Sequence, residues 1–437
     1  PPALAAGVQR GFAVMGVPSL VAPLVIPANV RTFSLPVMVL ATVLYYFITQ
    51  DRTIFQDVHR LPPAHCATFG PDGAVTCTAY WRPDYTRKQT RDPEEWLEGI
   101  HHYLGRAVRR RLIADVPLGG FLSGGVDSST VCALMASQGT GRPRTFSVGF
   151  DDVPAYDERR HAARVAEHIG SDHTELVLHA DVSAVLSDVV WHYGEPFGDS
   201  SAVPTYLISQ AARQHVTVVL TGDGGDEVFA GYADYMSSAR DERFSRLPMA
   251  MRRLLFRAAR EILLRVSPRA LLPRRLEKFT GYLAGSPDVH ALKFCWYDGL
   301  RDDLYRDALR RRLGPWRAAA GQQALTRSLG GATNVDRNLE YVLRQRLPSD
   351  YLTKVDVATM AASLEARTPF LDRALMEFAM QIPHGVLFAD DQTKGLLKRY
   401  AARQVPPEVI YRKKWGFGIP VGHWFRTRWR RPLRRLL

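Results

Sequence analysis

Between residue 92 and about residue 234 the chain alternates two patterns. Short apolar runs end in glycine- or acid-bearing turns, and longer stretches repeat apolar positions every three or four residues. The first helical stretch opens at Asp92-Pro93-Glu94-Glu95, with an aspartate suited to the N-cap, proline at the first helical position and an acid at the third. Leu97, Ile100, Leu104, Val108 and Leu112 then recur at helical spacing and define its buried stripe. His101 and His102 ride on this helix as surface or packing residues. The run 118–122 predicts a strand, and a small-residue turn carries it into a helix through Thr130-Val131-Cys132-Ala133-Leu134-Met135. Further strands are predicted over 145–150, 173–178 and 216–220, with helices over 157–169 and 203–214. Alternation of this kind implies an α/β fold, a parallel sheet with helices on both faces. Ligands of such sheets bind beyond the carboxyl ends of the strands, where Ser123, Gly149 and Thr221 fall. After about Asp234 the pattern turns helical, so a large helical portion is expected to complete the pocket.

The turn after the first strand reads Leu122-Ser123-Gly124-Gly125-Val126-Asp127-Ser128-Ser129. Gly124 and Gly125 let the backbone approach a ligand, the hydroxyls of Ser128 and Ser129 donate, and free N–H groups at a helix N-terminus favour an anion. The loop suits the pyrophosphate end of a nucleotide. It is not a Walker A loop, because no Gly-Lys-Ser/Thr follows and Asp127 sits inside the turn. An aspartate beside phosphates repels them unless a divalent cation bridges the two, which implies Mg²⁺. A second loop, Thr221 to Glu227, follows the run 216–220 and carries three acids. Asp127 and Asp226 form the natural pair to share that metal across the pocket.

The Ser-Gly-Gly-Val-Asp-Ser-Ser run resembles the pyrophosphate loop of the ATP-pyrophosphatase superfamily, whose members split ATP between its α and β phosphates. Four more stretches resemble the asparagine synthetase family in order and spacing: Thr221 to Tyr232, Leu347 to Asp356, Ser363 to Asp372 and Arg412 to Gly418. The likeness runs from about residue 50 to about residue 425. It implies an adenine nucleotide alpha hydrolase-like sheet, ATP as cofactor and Mg²⁺ on Asp127 and Asp226. Leu122, Val148, Thr221 and Gly222 would line adenine and ribose. Ser123, Gly124, Gly125, Ser128, Ser129 and Gly224 belong to the same nucleotide site.

The resemblance also assigns chemistry. Asp223 stands where the family usually has a glutamate implicated in forming the acyl-adenylate and accepting a proton from ammonia. Here that acid is one methylene shorter, and β-lactam synthetases carry a tyrosine at this point. Lys414 matches the lysine over the leaving pyrophosphate, and Lys354 is read as a second cation that neutralises phosphate charge. Glu365 is taken as an acid of the substrate pocket, Arg367 as a structural or substrate-binding base, and Asp199 and Ser200 as pocket-facing. The expected reaction is amide formation through an adenylated carboxylate, with pyrophosphate released and ammonia or an amine attacking. Aspartate is the default acid. A specialised ligase acting on a peptide, a β-amino acid or a cell-surface sugar is the alternative, of the lasso-peptide cyclase or β-lactam synthetase type. A base-adenylating RNA enzyme is a third, against which the Ser363 to Asp372 stretch argues.

Residues 1–90 are read by resemblance as the remnant of a glutaminase-type domain and its linker, with the synthetase-like domain over 91–437. Thr53-Ile54-Phe55, Leu61 to His65 and Tyr80-Trp81 look like the last strands of that β-rich unit. The family hydrolyses glutamine with a cysteine at the mature N-terminus, whose α-amine can serve as the base. Cys66 and Cys77 are internal and are expected to be buried small side chains. The chain as it stands is therefore not expected to hydrolyse glutamine.

Composition narrows the rest. With 437 residues and 46% hydrophobic positions the chain can bury one or two substantial cores. The net charge of +13 would suit a polyanion, but the arginines are spread through amphipathic stretches such as 251–265, and they read as solvated helix faces. The densest run, Arg426 to Arg435, keeps a nucleic-acid surface as the minority reading. Pro18, Pro23 and Pro27 would break any membrane helix over 11–30, 35–48 is too short to span, and no signal peptide is recognisable. The four cysteines show no paired metal spacing, which fits a reduced, cytoplasmic setting. A homodimer is compatible with the family.

Overall fold

The structure, a computed structural model, describes residues 12–15, 24–27, 47–49, 52–139, 141–149, 157–177, 182–245 and 328–412, with scattered positions between 247 and 325. Five strands form a fully parallel sheet in the order β10-β9-β6-β7-β8. They are β6 (Leu118–Phe121), β7 (Arg144–Gly149), β8 (Asp172–Val177), β9 (Val218–Leu220) and the edge strand β10 (Glu365–Arg367). The first four match the runs read from the sequence to within two residues at each end. The fifth was not anticipated: three residues of mixed polarity give no period, and β10 pairs with β9 only because the chain returns from its helical portion.

Helix α1 (Pro93–Arg111) precedes β6, and α2 (Val126–Gln138), α3 (Arg159–Ile169), α4 (Val182–Tyr193) and α5 (Ala202–Arg213) are interleaved with β6 to β9. The start of α1 is a complete capping box, with Asp92 accepting from the Glu94 amide and Glu95 accepting from the Asp92 amide. Its stripe of Trp96, Leu97, Ile100, Leu104 and Val108 is buried against α2 and against the helical segments Arg373–Ala379 and Gly395–Ala401 of the later chain. His101 stays at the surface with its ring nitrogen against the Tyr400 hydroxyl. A short helix, α6 (Gly225–Val228), follows β9, and from there the described residues are mainly helical: α7 (Ala233–Ser245), α8 (Asn334–Tyr341), α9 (Leu352–Ala361), α10 (Arg373–Ala379), α11 (His384–Leu387), α12 (Gly395–Ala401) and α13 (Pro407–Ile410). Between α8 and α9 the chain winds as a π-helix, Val342–Tyr351, with Pro348 inside it. Proline lacks the N–H that an α-helical turn would use, and the wider turn accommodates it.

Ahead of α1, β1 (Phe12–Met15), β2 (Leu24–Pro27) and β3 (His59–Arg60) form an antiparallel sheet, and β4 (His65–Phe69) pairs with β5 (Val75–Ala79) as a hairpin. Cys66 and Cys77 lie in that hairpin and are exposed, which corrects the expectation of buried side chains. A two-stranded ribbon has no second layer to bury either face among the described residues. Lys88 ties the following linker to the main body, donating to the Met380 and Ile382 carbonyls and pairing with buried Asp336 at 2.7 Å. No helix among the described residues is long and apolar enough to cross a membrane.

Candidate functional site

A cavity of about 720 Å³ opens beyond the carboxyl ends of β6, β7 and β9, within the size range of small-molecule sites. One end is built on the turn between β6 and α2. Gly124 takes a positive φ of +67°, and a Cβ there would meet the His161 backbone at 2.6 Å. Only glycine lets the loop turn this tightly against α3. The Ser128 hydroxyl accepts from the Ser123 amide at 3.2 Å and meets the Ser123 hydroxyl at 3.0 Å, so the loop is braced before any ligand arrives. Across the cavity, Gly222 presses on this loop: a Cβ would sit 2.7 Å from the Ser128 amide nitrogen. The two loops read separately from the sequence therefore face each other.

The structure gathers Leu122, Ser123, Gly125, Asp127, Ser128, Val148, Thr221, Gly222, Asp223, Gly224, Asp226 and Lys354 on the cavity wall, with Asp199 and Ser200. Ser129 does not join them; it is fully buried one turn into α2, behind the loop. Gly124 shapes the loop from outside the wall. Glu365 is placed elsewhere: it lies on the exposed edge strand β10 and accepts from Arg367 at 2.7 Å, so the acid expected in the substrate pocket is a sheet-edge group. Arg367 also donates to the Arg111 and Ile113 carbonyls, which fastens β10 to the end of α1. Lys414 and Lys413, like the run Arg426 to Arg435, lie outside the described residues.

Lys394 was missed from the sequence. Its ammonium reaches Asp226 at 2.6 Å and also pairs with Asp127, and the residue is 4% exposed. Burial alone would pull its pKa down, but the two carboxylates outweigh burial and hold it above the ordinary lysine value. Asp127 and Asp226 thus converge on one buried cationic position, filled here by the Lys394 ammonium; a pair of converging carboxylates is also what a divalent cation takes. Among the described residues no group of three or more His, Cys, Asp or Glu side chains could hold a metal unaided. A Mg²⁺ here would draw its remaining ligands from phosphate and water, as that ion usually does. The sequence hid Lys394 because it sits at the N-cap of a short helix with a positive φ of 55°, a backbone state that a lysine does not advertise.

The other end of the cavity is ionic. Lys354, on α9, lies 3.9 Å from Asp199, and Asp223, Asp350 and Glu227 also raise its pKa, together outweighing the opposing effect of burial. Asp350 comes from the π-helix, pairs with Arg346 at 3.3 Å and has one carboxylate oxygen buried without a hydrogen bond. Burial and the Asp199 charge push its pKa up to about 6, against the pull of Arg346 and Lys354. Glu227 is raised to about 7 by burial and by Asp226, although the Tyr232 hydroxyl donates to it. This end offers carboxylates and cations side by side, with titrations displaced toward neutrality. At the cavity mouth Arg412 donates to the Gly124 carbonyl at 3.2 Å and pairs with Glu158.

The asparagine synthase family model matches residues 99–437. Asparagine synthetase [glutamine-hydrolyzing] 1 of Bacillus subtilis (strain 168) is 28% identical over 386 residues, covering 88% of this chain and 59% of that protein. The asparagine synthetase [glutamine-hydrolyzing] proposed in Mycobacterium tuberculosis (strain ATCC 25618 / H37Rv) is 32% identical over 390 residues, 88% of this chain and 58% of its own length. Amidase chyE of Penicillium rubens is 33% identical over 211 residues, 44% of this chain and 31% of that protein. The chain thus spans under three fifths of the length of these relatives.

Proposed function

The chain belongs to the asparagine synthase family, and from that premise we propose that it activates a carboxylic acid with ATP and converts it to an amide. The observation that carries the proposal is the continuity of one cavity from the glycine loop at Ser123 to the ionic cluster at Lys354. A nucleotide and an acid can share it. Leu122 and Val148 pack against the base, and the N-terminal amides of α2 with the Ser123 and Ser128 hydroxyls receive phosphate. Mg²⁺ held by Asp127 and Asp226 would neutralise the charge that builds on pyrophosphate as it leaves.

A carboxylate oxygen of the acid bonds to the α-phosphorus while the bond bridging the α and β phosphates breaks. Ammonia or an amine then adds to the acyl carbon, a proton passes to Asp223, and AMP departs with the bonding pair. Lys354 and Asp199 hold the acid and its substituents. Aspartate is the first acid to test, with asparagine as product. A second reading changes only the acid. It is favoured by Asp223, whose shorter side chain leaves more room between loop and substrate than a glutamate would.

Acid-dependent release of pyrophosphate, measured with aspartate and then across other carboxylic and amino acids, tests both readings. Release with aspartate supports the first. Release only with another acid supports the second, and formation of ADP in place of AMP refutes both.

A further inference from the structure

Residues 52–60 do not line the cavity but touch a loop that does. Arg60, on β3, pairs with Glu195, and their side chains are only 19% and 15% exposed. The Ile54 amide donates to the same carboxylate. Glu195 opens the loop 195–201, and Gly198, Asp199, Ser200 and Ser201 of that loop form part of the cavity wall. The loop is fixed at further points on its inner side. The Phe197 ring stacks on Tyr193 with centroids 4.4 Å apart and planes 9° from parallel, and the Tyr193 hydroxyl donates to the Lys354 carbonyl at 2.8 Å. Asp199 accepts from the Ser201 amide and hydroxyl at 2.9 and 2.7 Å and faces the Lys354 ammonium. A continuous set of contacts therefore runs from the segment ahead of α1 to the ionic end of the cavity. The glycine loop is braced separately, by its own serines and Arg412.

We propose that Arg60 is a positioning residue for the acid-binding end of the cavity. Its pair with Glu195 holds the loop 195–201 in place, so that Asp199 and Lys354 meet the acid, and displacement of the N-terminal segment is felt at that end and not at the nucleotide loop. A shielded charge deprived of its partner is strongly unfavourable, so Glu195 cannot keep its place when Arg60 is neutralised. The role in acid binding rests on the reading in the preceding section; the control of the loop does not.

Two measurements on Arg60→Met test this. Amide hydrogen exchange should accelerate about tenfold in the peptide covering 195–201 and stay unchanged in the peptide covering 122–128. In steady-state pyrophosphate release, KM for the acid should rise about tenfold while KM for ATP stays within about twofold. Arg60→Lys should restore most of both. Glu195→Gln, which keeps the shape and the Ile54 contact, serves if Arg60→Met does not fold. Unchanged exchange at 195–201, equal acceleration in both peptides, or parallel changes in the two KM values would overturn the proposal. If the wild-type chain releases no pyrophosphate with any acid, the functional reading fails while the exchange comparison still decides the role of Arg60.

Discussion

Around residues 122–128 the cavity wall is mostly backbone and hydroxyl, shaped by Gly124 and Gly222, with its charge in two tight pairings, Lys394 with Asp127 and Asp226, and Arg412 with Glu158. Around Lys354 the wall is charged side chains supplied by three separate segments, 195–201, 223–227 and 346–354. The first arrangement is made by local chain geometry and suits a phosphate-bearing ligand. The second depends on long-range packing and can be retuned one side chain at a time. A family that keeps its nucleotide and varies its acid would divide the work in this way.

The sharpest way to break the comparison is to disable the nucleotide end alone. Asp127→Ala should lower pyrophosphate release by about three orders of magnitude, since it removes a carboxylate that would hold the Mg²⁺ neutralising the departing phosphates. Equilibrium binding of the acid should change little. Activity within tenfold of wild type would show that Asp127 does not carry the metal. The opposite end is tested next: Lys354→Met should cut kcat/KM for the acid by about a hundredfold, because Asp199, Asp223 and Asp350 lose their shared counter-ion, with nucleotide binding nearly intact. If calorimetry shows ATP affinity falling as far as turnover, the two ends are not separable.

The same division explains what could be read from the chain. The glycine loop, the strands feeding it and the capped start of α1 are local patterns: apolar run, small-residue turn, helix signal. The acids of the second loop pointed to Asp226 and the resemblance added roles for Asp223 and Lys354, all of which the structure does bring to the cavity. Lys394 escaped because nothing local marks it, and Asp350 lies in the recognised Leu347 to Asp356 stretch but the resemblance gives it no role. One is placed by an unusual backbone conformation and the other by a π-helical stretch around Pro348. Glu365 was misplaced for the converse reason. It sits in a recognisable stretch, but alternation along β10 and the grip of Arg367 on the end of α1 turn it toward the sheet edge. Cys66 and Cys77 show the limit of residue-type averages, since burial also requires a layer to be buried under.

Smaller effects should sharpen the picture of the ionic end. Asp350 has a folded-state pKa of about 6, above the ordinary 3.8, so the folded chain binds the proton more tightly than the unfolded one. The sign follows from linkage: stability from this group is fully present below 3.8, is lost as pH rises towards about 6, and is absent above that. Asp350→Asn cannot ionise and should escape the loss. Its stability relative to wild type should improve by about 2 kcal/mol between pH 4.5 and pH 8, measured by urea unfolding at both values. A difference independent of pH would mean that Asp350 is solvated or fully compensated by Arg346 and Lys354.

The smallest effect is predicted where the sequence placed a pocket acid and the structure does not. Glu365→Gln should leave pyrophosphate release within about twofold of wild type and stability within about 0.5 kcal/mol, as surface substitutions usually do. The carboxamide can still accept from the Arg367 guanidinium, whose bonds to the Arg111 and Ile113 carbonyls do not involve residue 365. The Glu365 side chain is 54% exposed, so solvent already screens its charge from the cavity. A tenfold rise in KM for the acid would therefore require β10 to move when substrate binds, bringing Glu365 to the ionic end and joining the sheet edge to the site.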